Sequence, residues 1–354
     1  MTTRILVTGG AGFAGSHLAL GLREKVGAEV VALDNLHRRG SELNLPRLQN
    51  GGVTFIHGDI RSETDLESAG PFDVLIECSA EPSVMAGYGE SPRYVIDTNL
   101  LGAVNCFEAA RKNGAAVIFL STSRVYPLCL LNALRYRENK TRFVLEEKQD
   151  VPGVSARGIS EQFPLDGPRS LYGATKLASE LILQEYVAMY SLRGVINRCG
   201  ILTGPWQMGK IDQGVVVLWA ARHVFSGPLS YIGYGGKGKQ VRDVLHIDDL
   251  LQLVVYQVEH LDKLSGEVFN VGGGLENAVS LRELTDLCRK HTGNSIEIQE
   301  EPETRPADVP IYITDNTKVS RATGWQPRRN PGSILAEICQ WIEANRDTLR
   351  PVLS

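Results

Sequence analysis

Tyr172 and Lys176 stand one helical turn apart in the run Tyr-Gly-Ala-Thr-Lys, and Thr122 closes an apolar run upstream of them. A phenol in water ionises near pH ~10, too high for an effective base at neutral pH. A lysine one turn away is expected to place its ammonium near the phenolate and lower that value. Tyrosine and lysine at this spacing also occur on ordinary amphipathic helices, so the pair takes its meaning from its company. Part of that company is TGGAGFAG at Thr8 to Gly15, directly after the strand-like run Arg4 to Val7. Glycines at 9, 12 and 15 let the backbone turn tightly and approach phosphate oxygens, and the helix they open offers unbonded N–H groups and positive partial charge. A pyrophosphate cradle and a proton-transfer pair together describe a redox site.

Asp34 closes the second apolar run, where an acid accepts hydrogen bonds from an adenosine ribose and repels a 2'-phosphate. This favours NAD over NADP. Arg38 and Arg39 lie close by and offer the opposite reading, as partners of that phosphate. Asp59 and Ile60, after the third run, are placed to meet the adenine, although a plain turn residue after Gly58 is the alternative for Asp59.

These residues need a scaffold. Short apolar runs at Ile5 to Val7, Val30 to Leu33, Val53 to Ile56, Val74 to Ile76 and Val117 to Leu120 alternate with helical patterns. That alternation predicts an α/β fold, a doubly wound Rossmann-type parallel sheet, followed by a smaller C-terminal α/β substrate domain. The expected domains are 1–197, NAD-binding and including an insertion at 127–170, and 198–354, mainly substrate domain with some elements returning to the Rossmann sheet. The insertion is longer than ordinary connections and lies between Thr122 and Tyr172, which suggests a lid or substrate loop. Helical spacing at Asn99 to Lys112 and at Tyr172 to Tyr190 marks natural faces for helix–helix contact between copies, as a homodimer or homotetramer.

Bulk properties exclude several classes. With 354 residues, 43% hydrophobic and 22% charged, the chain can bury a sizeable core. A net charge of -4 and a pI near 6.0 give no basic field for nucleic acid. The six cysteines are scattered without a Cys-x-x-Cys pair or clustered histidines, which argues against a disulfide framework and a zinc site, so no metal is expected. No apolar run approaches the ~18 residues of a membrane helix, and a cytoplasmic location is the default expectation.

Leu120 to Tyr126 (LSTSRVY), Tyr172 to Lys176 and the glycine turn together resemble the extended short-chain dehydrogenase/reductase superfamily of nucleotide-sugar enzymes, over nearly the whole chain. Within it the likeness is strongest to the 2-epimerases of CDP-tyvelose (CDP-paratose). It rests on the DNLHRRG segment from Asp34, HGDIR from His57, TSRVY, PLDGPRSLYGATK, Asp212-Gln213-Gly214 and GKGKQVRDVLH from Gly236. The resemblance implies that Thr122 bonds the reacting sugar oxygen, that Tyr172 is the acid/base, and that Lys176 also binds the nicotinamide ribose. It implies a cofactor set of Gly9, Gly12, Phe13, Ala14, Gly15, Asp34, Asn35, Asp59, Ile60, Ser79, Ala80 and Asn99, together with Tyr172 and Lys176. For Asn99, holding a backbone network is the structural alternative.

For the substrate, the resemblance implies Glu81, Ser123, Arg124, Arg198, Gln213, Arg242 and Arg305, with Arg242 and Arg305 on the diphosphate. Guanidinium forks suit that role, and an ion pair on the surface or between domains is the alternative. The sequence departs from the usual pattern at Cys78 to Glu81, at Pro127 after Val-Tyr, and at Thr203 before Gly204. Glu81 adds a negative charge where related enzymes carry an amide.

Three functions compete. One is an NAD-dependent epimerase of a nucleotide sugar, with CDP favoured, inverting carbon 2 through a transient keto sugar. Another is a nucleotide-sugar 4-epimerase of the UDP-hexose type. A non-catalytic NAD-binding module is the third, and the simultaneous presence of Thr122, Tyr172 and Lys176 argues against it. A 4,6-dehydratase fits poorly, since Ser123 and Arg124 follow Thr122 and neither supplies a carboxylic acid.

Overall fold

The apolar runs of the first half become parallel strands because those at the centre of the sheet are buried on both faces, as crossover helices require, while the edge run at Thr54–His57 is half-exposed. The computed structural model describes residues 2–210 and 213–353. Its largest sheet contains β1 (Arg4–Thr8), β2 (Glu29–Asp34), β3 (Thr54–His57), β4 (Val74–Glu77), β5 (Ala116–Thr122), β6 (Gly194–Cys199) and β7 (Val268–Val271). The strand order is β7-β6-β5-β4-β1-β2-β3. It reverses direction between β1 and β4, so the carboxyl ends of these two strands flank the crevice where open α/β sheets bind ligands.

The chain divides into two units. The first comprises Met1–Val125, Ser170–Cys199 and Leu250–Phe269. Helix α1 (Phe13–Val26) follows β1, α2 (Gly102–Asn113) precedes β5, and α3 (Leu171–Tyr190) precedes β6. One core layer joins Leu6, Leu33, Leu75, Phe107, Phe119 and Leu183, all buried. The predicted helix from Asn99 starts earlier: a turn at Arg93–Ile96 runs through a π-helical turn at Asp97–Leu101 into α2.

The second unit comprises Tyr126–Arg169, Gly200–Asp249 and Asn270–Ser354. Strands Ile201–Thr203, Val241–His246, Ala278–Ser280 and Ile311–Tyr312 form its main sheet. Helices Val215–Phe225, Leu281–Thr292 and Pro331–Ala344 pack on one another.

The insertion belongs here, which corrects its expected place in the NAD-binding domain. It folds as two hairpins, Tyr136–Glu138 with Phe143–Leu145 and Val154–Ser155 with Gly158–Ile159. The Ile159 N–H donates to the Ile313 carbonyl at 2.8 Å, and the Phe143 N–H to that of Lys239 at 2.9 Å. The buried Tyr126 hydroxyl donates to Asn270 at 2.7 Å, and Arg142 is ion-paired with Glu283. Its backbone polar groups are thus satisfied by segments distant in sequence, which makes it a structural part of the second unit rather than a solvated loop.

Among the described residues, no helix is long and apolar enough to cross a membrane. His246, Asp248 and Glu337 have the ligand types for a cation, but the Arg329 guanidinium already bonds all three.

Candidate active site

The glycine turn begins with Gly9 at φ 63°, a left-handed conformation that a side chain would strain. A Cβ on Gly9 would also lie 2.9 Å from the Cys78 carbonyl carbon, and one on Gly15 only 2.1 Å from the Gly9 oxygen. Bare backbone is therefore required where the turn meets α1. Gly12 is the helix N-cap and supplies no side-chain cap, so the first N–H groups of α1 keep their capacity for an anion. Phe13 and Ala14 occupy the first turn.

Asp34 grips this turn. Its carboxylate accepts the Ala11 N–H at 3.0 Å and the Leu36 N–H at 2.8 Å, while burial pushes its carboxyl above the usual range. Asn35 donates to Asp59 at 2.9 Å. Asp59 also accepts from the Arg61 side chain, and these bonds hold its carboxyl well below the ordinary range. Ile60 is buried, and its carbonyl accepts from Asn105 at 3.0 Å.

Past β4 the chain turns under the control of Asn99. The Asn99 side chain accepts the Glu81 N–H at 2.7 Å and donates to the Glu81 carbonyl at 3.0 Å. That is the backbone-holding alternative for Asn99, built on the widened π-helical turn. Glu81 itself accepts the Ser83 N–H at 3.1 Å, and the Ser79 N–H donates to Glu77 at 2.8 Å, with Ala80 between them.

Helix α3 starts with a Ser170 cap on the Gly173 N–H, which fixes the phase of the turn carrying Tyr172. Thr122 hydrogen-bonds the Tyr172 side chain. The Arg124 N–H donates to the Thr122 hydroxyl at 3.2 Å, and Ser123 opens the short turn after β5. The phenol differs from expectation. Burial pushes it up to about 12, opposed by the Thr122 hydrogen bond and the Arg124 charge, while the Glu77 charge raises it further.

Lys176, whose charge is expected to oppose that burial, has another partner. Its ammonium lies 3.4 Å from the Glu77 carboxylate and 3.9 Å from the centre of the Phe119 ring, with both charged side chains at most 2% exposed. The lysine charge is thus met by a carboxylate rather than directed to the phenol alone. One turn on, Glu180 accepts from the Nε and Nη2 of Arg198, with Nη2 at 2.7 Å, and from Ser121. Arg198, expected on the substrate, is in this structure half of a buried ion pair.

In the second unit Arg242 follows its ion-pair alternative, donating to Asp308 at 2.7 Å and to the Val309 carbonyl. Arg305 is half-buried, and its carbonyl accepts the Asp308 N–H. Gln213 exchanges backbone hydrogen bonds with Lys210, whereas Asp212 lies outside the described residues.

Sequence reasoning overlooked Glu77 and Glu180. A charge ending the buried run Val74–Glu77, and an acid four residues after Lys176 on the same buried face, were the available signals.

The family model for the NAD dependent epimerase/dehydratase family matches residues 5–272. The chain belongs to that family. A CDP-paratose 2-epimerase of Salmonella typhi is 29% identical over 96% of this chain and 99% of its own. A dTDP-glucose 4,6-dehydratase of Streptomyces niveus is 27% identical over 99% of this chain and 96% of its own. The crystal structure of a Thermus thermophilus UDP-glucose 4-epimerase in complex with NAD superposes with a TM-score of 0.75, at 28% identity, covering 96% of this chain and 99% of that one.

The protein is thus an enzyme of the nucleotide-sugar epimerase/dehydratase type, and NAD is its cofactor. The residues fit that cofactor. The glycine turn leaves backbone exposed where a Cβ would collide, and the Asp34 carboxylate, already aligned by two N–H groups, keeps lone pairs for a ribose.

Proposed function

We propose that this enzyme inverts carbon 2 of a CDP-hexose such as CDP-paratose or CDP-tyvelose, through a transient keto sugar. The observation that carries the reading is the Thr122–Tyr172 hydrogen bond at the carboxyl end of β5, with Lys176 a turn further on the same helix. NAD, when bound, supplies the acceptor and donor for hydride. Tyr172 takes the proton of the reacting hydroxyl as the carbonyl forms and returns it as the carbonyl is reduced. Thr122 orients that oxygen by hydrogen bonding. Ser123 and Arg124, in place of carboxylic acids, favour an epimerase over elimination of water.

The choice of carbon 2 and of CDP is supported by the likeness to the Salmonella typhi enzyme and by the resemblance of the TSRVY and GKQVRDVLH segments to the 2-epimerases. Glu81, Ser123, Arg124, Gln213 and Arg305 remain the proposed substrate contacts, and the residues of the glycine turn with Asp34, Asn35, Asp59, Ile60, Ser79 and Ala80 the proposed cofactor contacts. A second copy is proposed to cover Leu181, Met189 and Tyr190 of α3, which are 55%, 66% and 50% exposed. Six free cysteines suit a reducing, cytoplasmic compartment.

A substrate deuterated at carbon 2 tests the reaction. The label should return to carbon 2 of the product, with a slowed turnover if hydride transfer is limiting, and carbon 4 should stay untouched. A primary isotope effect from carbon 4, with inversion there by NMR, would replace this reading with a 4-epimerase. Deuterium lost to solvent would count against both, since it requires direct proton abstraction from carbon.

A further inference from the structure

Glu77 ends β4 and is fully buried, in a position where an uncompensated carboxylate is costly. One carboxylate oxygen accepts the Ser79 N–H at 2.8 Å, and the other faces the Lys176 ammonium at 3.4 Å. Phe119, its register partner on β5, presents its ring to the same ammonium. Two adjacent strand ends therefore form a seat, one half anionic and one half aromatic, for the lysine that follows Tyr172 on α3. We propose that Glu77 is a positioning residue that seats Lys176 and, by neutralising it, sets how readily Tyr172 gives up its proton. The proposal rests on Tyr172 being the acid/base of the reaction.

The charge arithmetic supports it. A lone buried lysine beside a phenol would hold the phenolate, and such a site would give up its proton irrespective of cofactor. Burial pushes the Glu77 carboxyl up, and the Lys176 ammonium opposes that shift. With the ionised Glu77 opposite, the lysine and glutamate charges nearly cancel, and the phenol stays protonated until other positive charge arrives. The cationic ring of oxidised nicotinamide is such a charge. Proton release by Tyr172 is then coupled to the cofactor state in which a hydroxyl has to be deprotonated.

Near neutral pH the other groups facing this cluster supply no rival negative charge. Thr122 and Arg124 from the end of β5 favour the phenolate. Burial pushes the thiols of Cys78 after β4 and Cys106 on α2 well up, and that of Cys199 on β6 up to about 12, so all three are neutral near neutral pH. The Cys199 thiolate forms only in the range where Tyr172 itself titrates and there opposes the phenolate, so the titration carries Cys199→Ala as its background. Glu180 is on the same helix but is closed off by Arg198.

The test is a pH titration of the full chain saturated with NAD, without sugar, read as phenolate absorbance near ~295 nm and corrected with the matching Tyr172→Phe protein. Glu77→Gln should move the Tyr172 midpoint down by about one pH unit or more, and Lys176→Met should move it up. The double variant, which leaves no unpaired buried charge, should return close to the parent value. Glu77→Asp, which keeps the charge, should stay near the parent. An unchanged midpoint in Glu77→Gln overturns the proposal. Should that variant not fold, the double variant is compared with Lys176→Met alone: a lower midpoint in the double supports the proposal, and equal midpoints overturn it. Normal turnover by Tyr172→Phe would remove Tyr172 from the reaction while leaving the titration result standing, so the two failures are distinguishable.

Discussion

The Asp34 carboxylate at the end of β2 accepts the N–H of Ala11, in the glycine turn, at 3.0 Å. One side chain therefore shapes the glycine turn and is also the proposed ribose contact. Replacing Asp34 with Ala should weaken NAD by about 10-fold or more, since a buried N–H loses its acceptor along with the ribose contact. NADP should be affected less, because the charge that repels its phosphate goes too. Dissociation constants for both dinucleotides check this, and an unaltered ratio would assign the choice to Arg38 or Arg39.

Tyr172→Phe should keep the fold and NAD binding, because it deletes only the oxygen that exchanges the proton. Turnover should fall by about 10²-fold or more. Thr122→Ala should lose less, since Tyr172 remains. Product formation, with circular dichroism as the folding control, decides both, and near-normal turnover in the Phe variant rejects the acid/base assignment.

Arg198→Met should lower stability by about 3–5 kcal/mol, because it leaves the Glu180 carboxylate buried with only the Ser121 hydroxyl. Replacing Arg198 and Glu180 together with apolar residues should recover most of that loss. Denaturant unfolding measures it. A harmless single substitution would mean that Arg198 is not held as described and would return it to the substrate contacts.

Acid should expose the Asp59–Arg61 contact. A carboxyl lowered in the folded state contributes stability that is full above its unfolded value and drains away as pH falls through the folded one. The stability gap between the parent and Asp59→Asn should therefore be constant from neutral pH to about 5 and narrow below about 4. A gap that stays constant at low pH would show that the carboxylate charge contributes nothing there. Arg61 is 41% exposed, so added salt should shrink the gap.

The sequence by itself determined the parts whose information is local. A strand pattern, glycines at fixed offsets and a helix start are encoded within a few residues, so the Rossmann-type sheet, the turn from Gly9 to Gly15 and the helix carrying Tyr172 and Lys176 were all legible. Periodicity also reports which face of an element is buried, but it does not report what that face meets.

The tertiary structure alone decided the partners of buried charges. Lys176 meets Glu77 across 99 positions of chain, and Arg242 meets Asp308 across 66. Four residues of helical spacing suggested that Lys176 serves Tyr172, yet the ammonium settles where a carboxylate and an aromatic ring converge from two neighbouring strand ends. Likewise the 127–170 segment has the composition of a loop, but its strands pair with Ile313 and Lys239. The physical reason is common to these cases. Burying a charge or a backbone polar group is tolerated only where a partner has been brought to it, and those partners arrive from segments that only folding places side by side.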